Sequence, residues 1–396
     1  MERIIFKRLL IQAMIFSVSL TAHAQEAPGP AFRFKAGGAV PYSVTERSDW
    51  SRYDNGKYTG HVCREVRASI VPAETGGAPL YRGNFFVFEE TLRDLRQSAR
   101  ALDEIIPAAF RVDGDGTTRI EDDKGFPSLR GFPAFPAKAL KPGDKWTAPG
   151  SRAVDPLNNG SFTVVPFTAG YEYKGAELYK GEPVYRISSA YAPRCQGEFR
   201  LQGNHAVDIL IRREDGTLLM MRDNLDETYT WPDGSTLRFR GFTLTFGQGL
   251  IPMNQHEVIA SLEETITEDD IQGGNIEIAT VPEGVRLTVR EIRFIPDTAA
   301  FLPEEQPRLD TIAQALKKVP DRTILVEGHT AAVGLPEGEM ELSVERARKM
   351  IEELVRRGIP AGRFMYKGWG GSKPLGDNSS EEGRRLNRRV EITILE

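Results

Sequence analysis

The chemistry this chain offers is concentrated in residues 326–334, Val326-Glu327-Gly328-His329-Thr330-Ala331-Ala332-Val333-Gly334. The stretch follows the apolar run Thr323-Ile324-Leu325-Val326 and precedes a helix-like segment. Its small residues therefore suit a loop that receives a ligand. Elsewhere the reactive residue types are scattered. None of His61, His205, His256 and His329 stands at metal-ligand spacing to another His or Cys, so no metal site is expected. His329 is expected to form a hydrogen bond within its loop. Residues 113–124, "DGDGTTRIEDDK", have the acidity of a calcium loop. Thr118 takes the place of the turn glycine and Lys124 that of the bidentate Glu, so a hairpin with an acidic turn is expected instead. There is no G-x-S-x-G, no P-loop and no dinucleotide fingerprint. Carboxylate pairs abound in a chain with 56 acidic residues and so do not argue for a glycosidase. The expectation is a protein that is not an enzyme and has no cofactor.

The chain opens with Arg3, Lys7 and Arg8, then a short apolar core from Leu9 to Leu20, then Ala22-His23-Ala24. This is the pattern of a secretory signal peptide over residues 1–24, with cleavage after Ala24. The residue directly after that point is Gln25 rather than a Cys, and no later stretch reaches the roughly 18 apolar residues of a spanning helix. An exported, periplasmic protein associated with the outer membrane or the wall is expected. A net charge of −5 gives no global pull towards nucleic acid or anionic lipid. Cys63 and Cys195 either pair in an oxidising compartment or remain buried thiols.

The elements that must position the loop fall into two parts. Residues 25–265 form an exported, mostly-β region. The turns Asp54-Asn55-Gly56, Glu214-Asp215-Gly216 and Pro232-Asp233-Gly234 separate short strand-like runs and suggest a meander of hairpins over 195–247. In "EETLRDLRQSARALDEII" the residues Leu92, Leu95, Ala99, Leu102 and Ile106 step by three and four, which predicts one helix ended by Pro107. A Pro- and Gly-rich stretch at 131–150 divides the region into two possible subdomains, and Trp50, Trp146 and Trp231 are expected in core or turns. An acidic linker at 266–275 leads to a different pattern over 272–396. There, Leu309, Ile312, Ala313 and Leu316 share one helical face, and Leu342, Ala347, Met350, Ile351 and Leu354 share another. Gly358 suits the cap of the second helix. The predicted order is β-α-β-α-β-β, with helices on one side of a sheet, and the whole chain is α+β.

Residues 272–396 resemble the OmpA-like domain, the module that holds bacterial outer-membrane proteins to peptidoglycan. The resemblance is carried by "VEGHT" (326–330), "LSVERA" (342–347), "RGI" (357–359), "GWGGSKPLGDN" (368–378) and "GRRLNRRVEI" (383–392), in this order and spacing. It implies an α/β sandwich that binds the peptidoglycan stem peptide non-covalently at a diamino acid bearing an ammonium and a carboxylate. It implies that an Asp after "GHT" takes the ammonium. The Arg of "LSxxRA" takes the carboxylate with a two-pronged hydrogen bond. The Asn and Arg of "NRR" shape the pocket wall. By position, Arg346 is the clamp, and Thr330, Asn387 and Arg388 match their counterparts.

Two positions depart from the family. Ala331 stands where the Asp belongs, and Glu339 stands where the family has Asn. Three readings follow: another acid such as Glu339 or Glu327 supplies the charge, the wall bound has a different stem chemistry, or the fold has become a structural or partner-binding module. For the whole chain, the expectation is a β-rich envelope domain joined to a wall-associating module. The alternatives are an outer-membrane β-barrel ahead of that module, and a wall-modifying enzyme.

Overall fold

The computed structural model describes residues 42–74, 80–89, 100–214, 216–248, 253–266, 270–271, 275–290, 292–293, 301–319 and 322–395. The expected signal peptide, residues 90–99 of the expected helix and most of the expected linker lie outside the described residues. The protein is β-rich with few helices. Among the described residues, no helix is long and apolar enough to cross a membrane.

The first part is one antiparallel sheet. Its strands are β1 (Tyr42–Asp54), β2 (Lys57–Glu74), β3 (Leu80–Glu89), β5 (Glu104–Val112), β6 (Thr118–Asp122), β7 (Leu129–Arg130), β8 (Lys145–Val154), β9 (Thr163–Tyr179), β10 (Glu182–Tyr191), β11 (Arg194–Cys195), β12 (Arg200–Arg212), β13 (Leu218–Thr230) and β14 (Thr236–Gln248), with β4 (Arg100–Ala101) set aside from it. The order β6-β5-β3-β2-β1-β14-β13-β12-β10-β9-β8-β7 is a meander in which β1 pairs with β14. Asn55 and Gly56, with φ of 51° and 78°, give the β1–β2 turn the positive dihedrals that a two-residue hairpin needs. Within residues 131–150, Phe132, Phe135 and Leu140 join the apolar core beneath β9, β10 and β12. Trp146 stacks on Tyr171 with ring centroids 5.1 Å apart. Cys63 and Cys195 remain thiols.

The helix expected over 90–106 is corrected in its described part, where residues 100–101 and 104–106 are strand. Ile105 and Ile106 are β-branched and pair opposite Phe86 and Phe85 of β3. Pro107 continues the strand opposite Asn84 rather than ending a helix. Cross-strand packing has outweighed the three-four spacing.

Along β12 and β13 the outward residues Arg200, Gln202, Asn204, Arg222 and Asn224 are exposed, and the inward Leu201, Val207, Ile209 and Leu225 are buried. The inner face also holds a cavity of about 350 Å³ bordered by Trp50, Arg152, Tyr191, Asp223 and Glu227. A polar network fills its wall. His205 Nδ1 lies 2.9 Å from Asp223 and its Nε2 3.1 Å from Glu227. Arg152 lies 3.1 Å from Glu227, and the Tyr191 and Tyr229 hydroxyls donate to Asp223 and Glu227 at 2.6 and 2.8 Å. Buried charges persist only when paired in this way.

The second sheet has the order β15-β16-β19-β17-β18-β4, from β15 (Ile276–Val281), β16 (Gly284–Arg290), β17 (Ile324–Gly328), β18 (Phe364–Gly368) and β19 (Arg389–Leu395). Helices α1 (Gln255–Glu263), α2 (Gln306–Lys317) and α3 (Pro336–Arg356) share one core with it. Leu309, Ile312, Ala313 and Leu316 of α2 are buried there, as are Ala347, Met350, Ile351 and Leu354 of α3, on the faces that periodicity indicated. From β15 onward the order is β-β-α-β-α-β-α-β. It contains a short helix, α4 (Glu381–Asn387), that the expected β-α-β-α-β-β lacked. Seven residues including Gly383 are too few to show a helical period. Ser380 nevertheless caps the helix by accepting from the Gly383 amide at 3.0 Å.

The two sheets are in contact. Leu325, Met365 and Leu395, on the face away from the helices, pack with Phe86, Phe88 and Leu102. β4 extends the second sheet by pairing in parallel with β18, and the Leu102 amide donates to the Tyr366 carbonyl at 2.9 Å. The first part of the chain thus covers one face of the second sheet and supplies its edge strand.

Candidate functional site

The site is built where β17 and β18 end. All five residues of β17 are buried, and the strand stops at Gly328 because α3 lies directly on it. A Cβ at position 328 would fall 2.0 Å from the Ser343 carbonyl oxygen. Beyond it the two loops are laced together. The His329 amide donates to Arg389 O at 3.0 Å, the Thr330 amide to Gly370 O at 2.9 Å, and the Trp369 amide to Gly328 O at 3.0 Å.

His329 is buried; its hydrogen bond is made by the backbone amide, while its ring nitrogens make none among the described residues. Burial, with the charge of Arg389 behind it, holds its pKa down to about 3, so the ring is neutral. Thr330 is buried beside it, and its hydroxyl makes no hydrogen bond among the described residues. Ala331 is also buried, 4% exposed, so the methyl that replaces the expected carboxylate faces protein rather than open water.

The two acids proposed as substitutes are both engaged. Glu339, in the first turn of α3, accepts from the Val333 and Gly334 amides at 2.7 Å each through one oxygen. It fixes the loop that follows Ala331, where a carboxylate also complements the helix N-terminus. Glu327 is buried on β17 and accepts from the Trp369 indole at 2.6 Å. Burial raises its pKa.

Asn387 is fully buried and uses its whole amide. Its Oδ1 accepts from Leu375 and Gly376 at 2.6 and 2.9 Å. Its Nδ2 donates to Gly376 O and Asn378 Oδ1 at 2.8 and 2.9 Å. Asn378 in turn accepts from the Ala332 amide at 3.0 Å. The resulting chain Asn387–Asn378–Ala332 ties the two loops of the site to each other. Sequence reasoning did not single out Asn378, although it ends the quoted segment 368–378.

Two arginines supply the charge. Arg388, 41% exposed at its side chain, pairs with Glu381 at 2.6 Å, and Glu381 also holds Arg384. Arg346 projects from α3, and burial followed by the charge of Arg388 pulls its pKa below the ordinary range. The two guanidiniums are therefore within electrostatic reach of each other. Arg389, the third residue of the "NRR" segment, is buried and paired with Glu391 at 2.7 Å. The structure thus brings Thr330, Glu339, Arg346, Asn387 and Arg388 to the same end of the sheet. Their tasks differ: Glu339 and Asn387 hold loops, while Arg346 and Arg388 set the local charge.

A family model described as the OmpA family matches residues 293–388. Over 134 residues the chain is 29% identical to the probable lipoprotein YiaD of Escherichia coli, covering 34% of this chain and 61% of the relative. Over 103 residues it is 34% identical to the peptidoglycan-binding protein ArfA of Mycobacterium tuberculosis, covering 26% of this chain and 32% of the relative. The chain therefore spans less than two thirds of either curated relative. Among solved structures it is similar to the cell wall anchor of the T6SS from Pseudomonas aeruginosa. That match has 31% identity and a TM-score of 0.31, and covers 36% of this chain and 96% of that one. The family match falls on the part of the chain that carries the laced loops and the two arginines, and this C-terminal part is an OmpA-like domain.

Proposed function

We propose that this is a non-enzymatic cell-envelope protein whose OmpA-like domain associates with the stem peptide of peptidoglycan and links the β-rich part of the chain to the wall. In this reading Thr330, Arg346 and Arg388 border the ligand. Arg346 and Arg388 receive a stem carboxylate, and the pocket has no partner for an ammonium on the same carbon. The observation that carries the reading is Glu339. Its Oε1 accepts both loop amides and tethers the carboxylate to the loop after Ala331, which disfavours it as the replacement for the acid missing there. Glu327, buried under Trp369, does not replace it either. Absence of the acid lowers affinity for a diamino-acid stem by about 2–5 kcal/mol relative to a pocket that has it. The domain then recognises the carboxylate with altered specificity. The relative named peptidoglycan-binding protein supports wall association and an envelope location, and it favours binding over catalysis.

The polar outer face of β12 and β13 favours a water-facing sheet over a membrane barrel, whose outward band is apolar. The test is co-sedimentation of the chain from residue 25 with purified peptidoglycan. The wild type pellets with the wall, and Arg346→Ala stays in the supernatant. If only Ala331→Asp pellets, the domain has become a structural or partner-binding module and the reading fails.

A further inference from the structure

Outside the OmpA-like domain, one cluster combines three metal-ligating residue types. Asp49 on β1 lies directly opposite Cys63 on β2, and His61 stands two residues from Cys63 on the same strand. Residues opposite each other across an antiparallel pair share a face, as do residues two apart along a strand. One His61 ring nitrogen, the Cys63 Sγ and an Asp49 carboxylate oxygen all lie within 4.8 Å of one another. His61 Nε2 is already 2.8 Å from Asp49 Oδ1. This face is opposite the one carrying Trp50 and Val62, which pack with Phe239 and Leu237 in the core. Cys195 packs with that inner core, so the two cysteines point to different environments. Along the chain His61 and Cys63 give no familiar metal-site spacing, and only the strand register supplies the third donor.

We propose that Asp49, His61 and Cys63 form a binding site for a divalent cation of the zinc class. The donor set is one carboxylate oxygen, one imidazole nitrogen and one thiolate, a mixed set suited to a borderline-soft ion. A carboxylate and a thiolate balance the two charges of the ion. Bonds of about 2.0–2.3 Å to a tetrahedral ion leave the fourth position open to water. The Asp49 and His61 side chains are 48% and 34% exposed, so modest rotamer changes draw the donors inward without moving the strands. Binding displaces the thiol proton of Cys63 and replaces the Asp49–His61 hydrogen bond, so affinity rises with pH. The bland reading is a surface Asp–His pair beside an unrelated thiol, which binds no ion in stoichiometric amount.

Cobalt(II) separates the two. The chain from residue 25, with thiols reduced, is titrated with Co²⁺ and followed by absorption. The site gives a thiolate-to-cobalt charge-transfer band and intense four-coordinate visible bands that saturate at equimolar metal and vanish when Zn²⁺ is added. Cys63→Ser loses the charge-transfer band, His61→Ala loses equimolar saturation, and Cys195→Ser changes neither. Absence of the charge-transfer band in the wild type overturns the proposal. So does a band that survives Cys63→Ser but is lost in Cys195→Ser. Circular dichroism of each variant establishes that it is folded. If serine at position 63 disturbs the fold, His61→Ala and Asp49→Asn decide the matter by loss or retention of the equimolar endpoint.

Discussion

Replacing Asn387 by Ala tests whether this residue is a strut rather than a ligand contact. The amide is fully buried and makes four hydrogen bonds, two accepted from Leu375 and Gly376 and two donated to Gly376 O and Asn378 Oδ1. Removing one side of a buried hydrogen bond strands its partner at about 1–3 kcal/mol. Four stranded groups set the upper bound. Leu375 is exposed and the neighbouring loop is partly open, so water reaches some of them. The expected destabilisation is therefore about 2–4 kcal/mol. Urea unfolding of the chain from residue 25, followed by tryptophan emission and far-ultraviolet dichroism, reads it as a shift in midpoint at unchanged slope. Hydrogen exchange adds a local signature: the Leu375, Gly376 and Ala332 amides lose protection together, because Asn378 relays the tie. Asn387→Asp keeps both accepted bonds but sets a buried carboxylate oxygen against Gly376 O and Asn378 Oδ1, so it destabilises at least as much. A loss below about 0.5 kcal/mol, the range of an ordinary surface substitution, would refute the strut assignment.

Two further predictions follow from buried groups in the same region. His329, with its pKa depressed to about 3, is neutral in the folded protein while the unfolded chain titrates near the ordinary histidine value. The unfolded state then binds the extra proton between those values, so stability falls as pH drops from about 6.5 towards 3, by up to about 1.4 kcal/mol per unit. His329→Gln flattens that acid limb in a series of denaturation curves, and an unchanged limb contradicts the assignment. Gly328→Ala drives a Cβ to 2.0 Å from Ser343 O and so lowers stability by about 1–3 kcal/mol or more, measured as a fall in melting temperature.

How much of this was legible from residues alone differs between the two sheets. In the OmpA-like part, helix periodicity placed Leu309, Ile312, Ala313 and Leu316 in the core, and Ala347, Met350, Ile351 and Leu354 likewise. Those contacts are local in sequence and fix one face each. The short α4 escaped because seven residues carry no period. The tasks of Glu339 and Asn387 escaped because loop amides are anonymous in a sequence. Nothing in the residue types says that Val333 and Gly334 will turn their amides to Glu339. In the β-rich part, the turns at Asn55-Gly56 and Gly234 were legible, since positive φ selects glycine and asparagine. Residues 100–106 were misread as helix because their pairing partners, Phe85 and Phe86, decide the outcome from β3. The His205–Asp223–Glu227–Arg152 network joins residues up to 75 positions apart and is visible only once β8, β12 and β13 are side by side.

The contact between the two sheets also bears on experiments. β4 and Leu102 belong to the first part of the chain yet complete the edge and cover the face of the second sheet. An isolated fragment beginning at residue 272 exposes Leu325, Met365 and Leu395, so binding is best measured on the longer chain.

The most direct test of the altered pocket is calorimetric titration of that chain with two soluble stem peptides. One carries the diamino acid with its ammonium and carboxylate, and the other keeps the carboxylate and lacks the ammonium. With Arg346 and Arg388 as the recognition elements and Ala331 in place of the acid, the two affinities differ by less than about tenfold, ~1.4 kcal/mol. Ala331→Asp restores a preference for the diamino acid, and Arg346→Ala abolishes binding of both. A strong preference for the ammonium-bearing peptide in the wild type would contradict the account, because a carboxylate, such as the second oxygen of Glu339, would then be holding the ammonium.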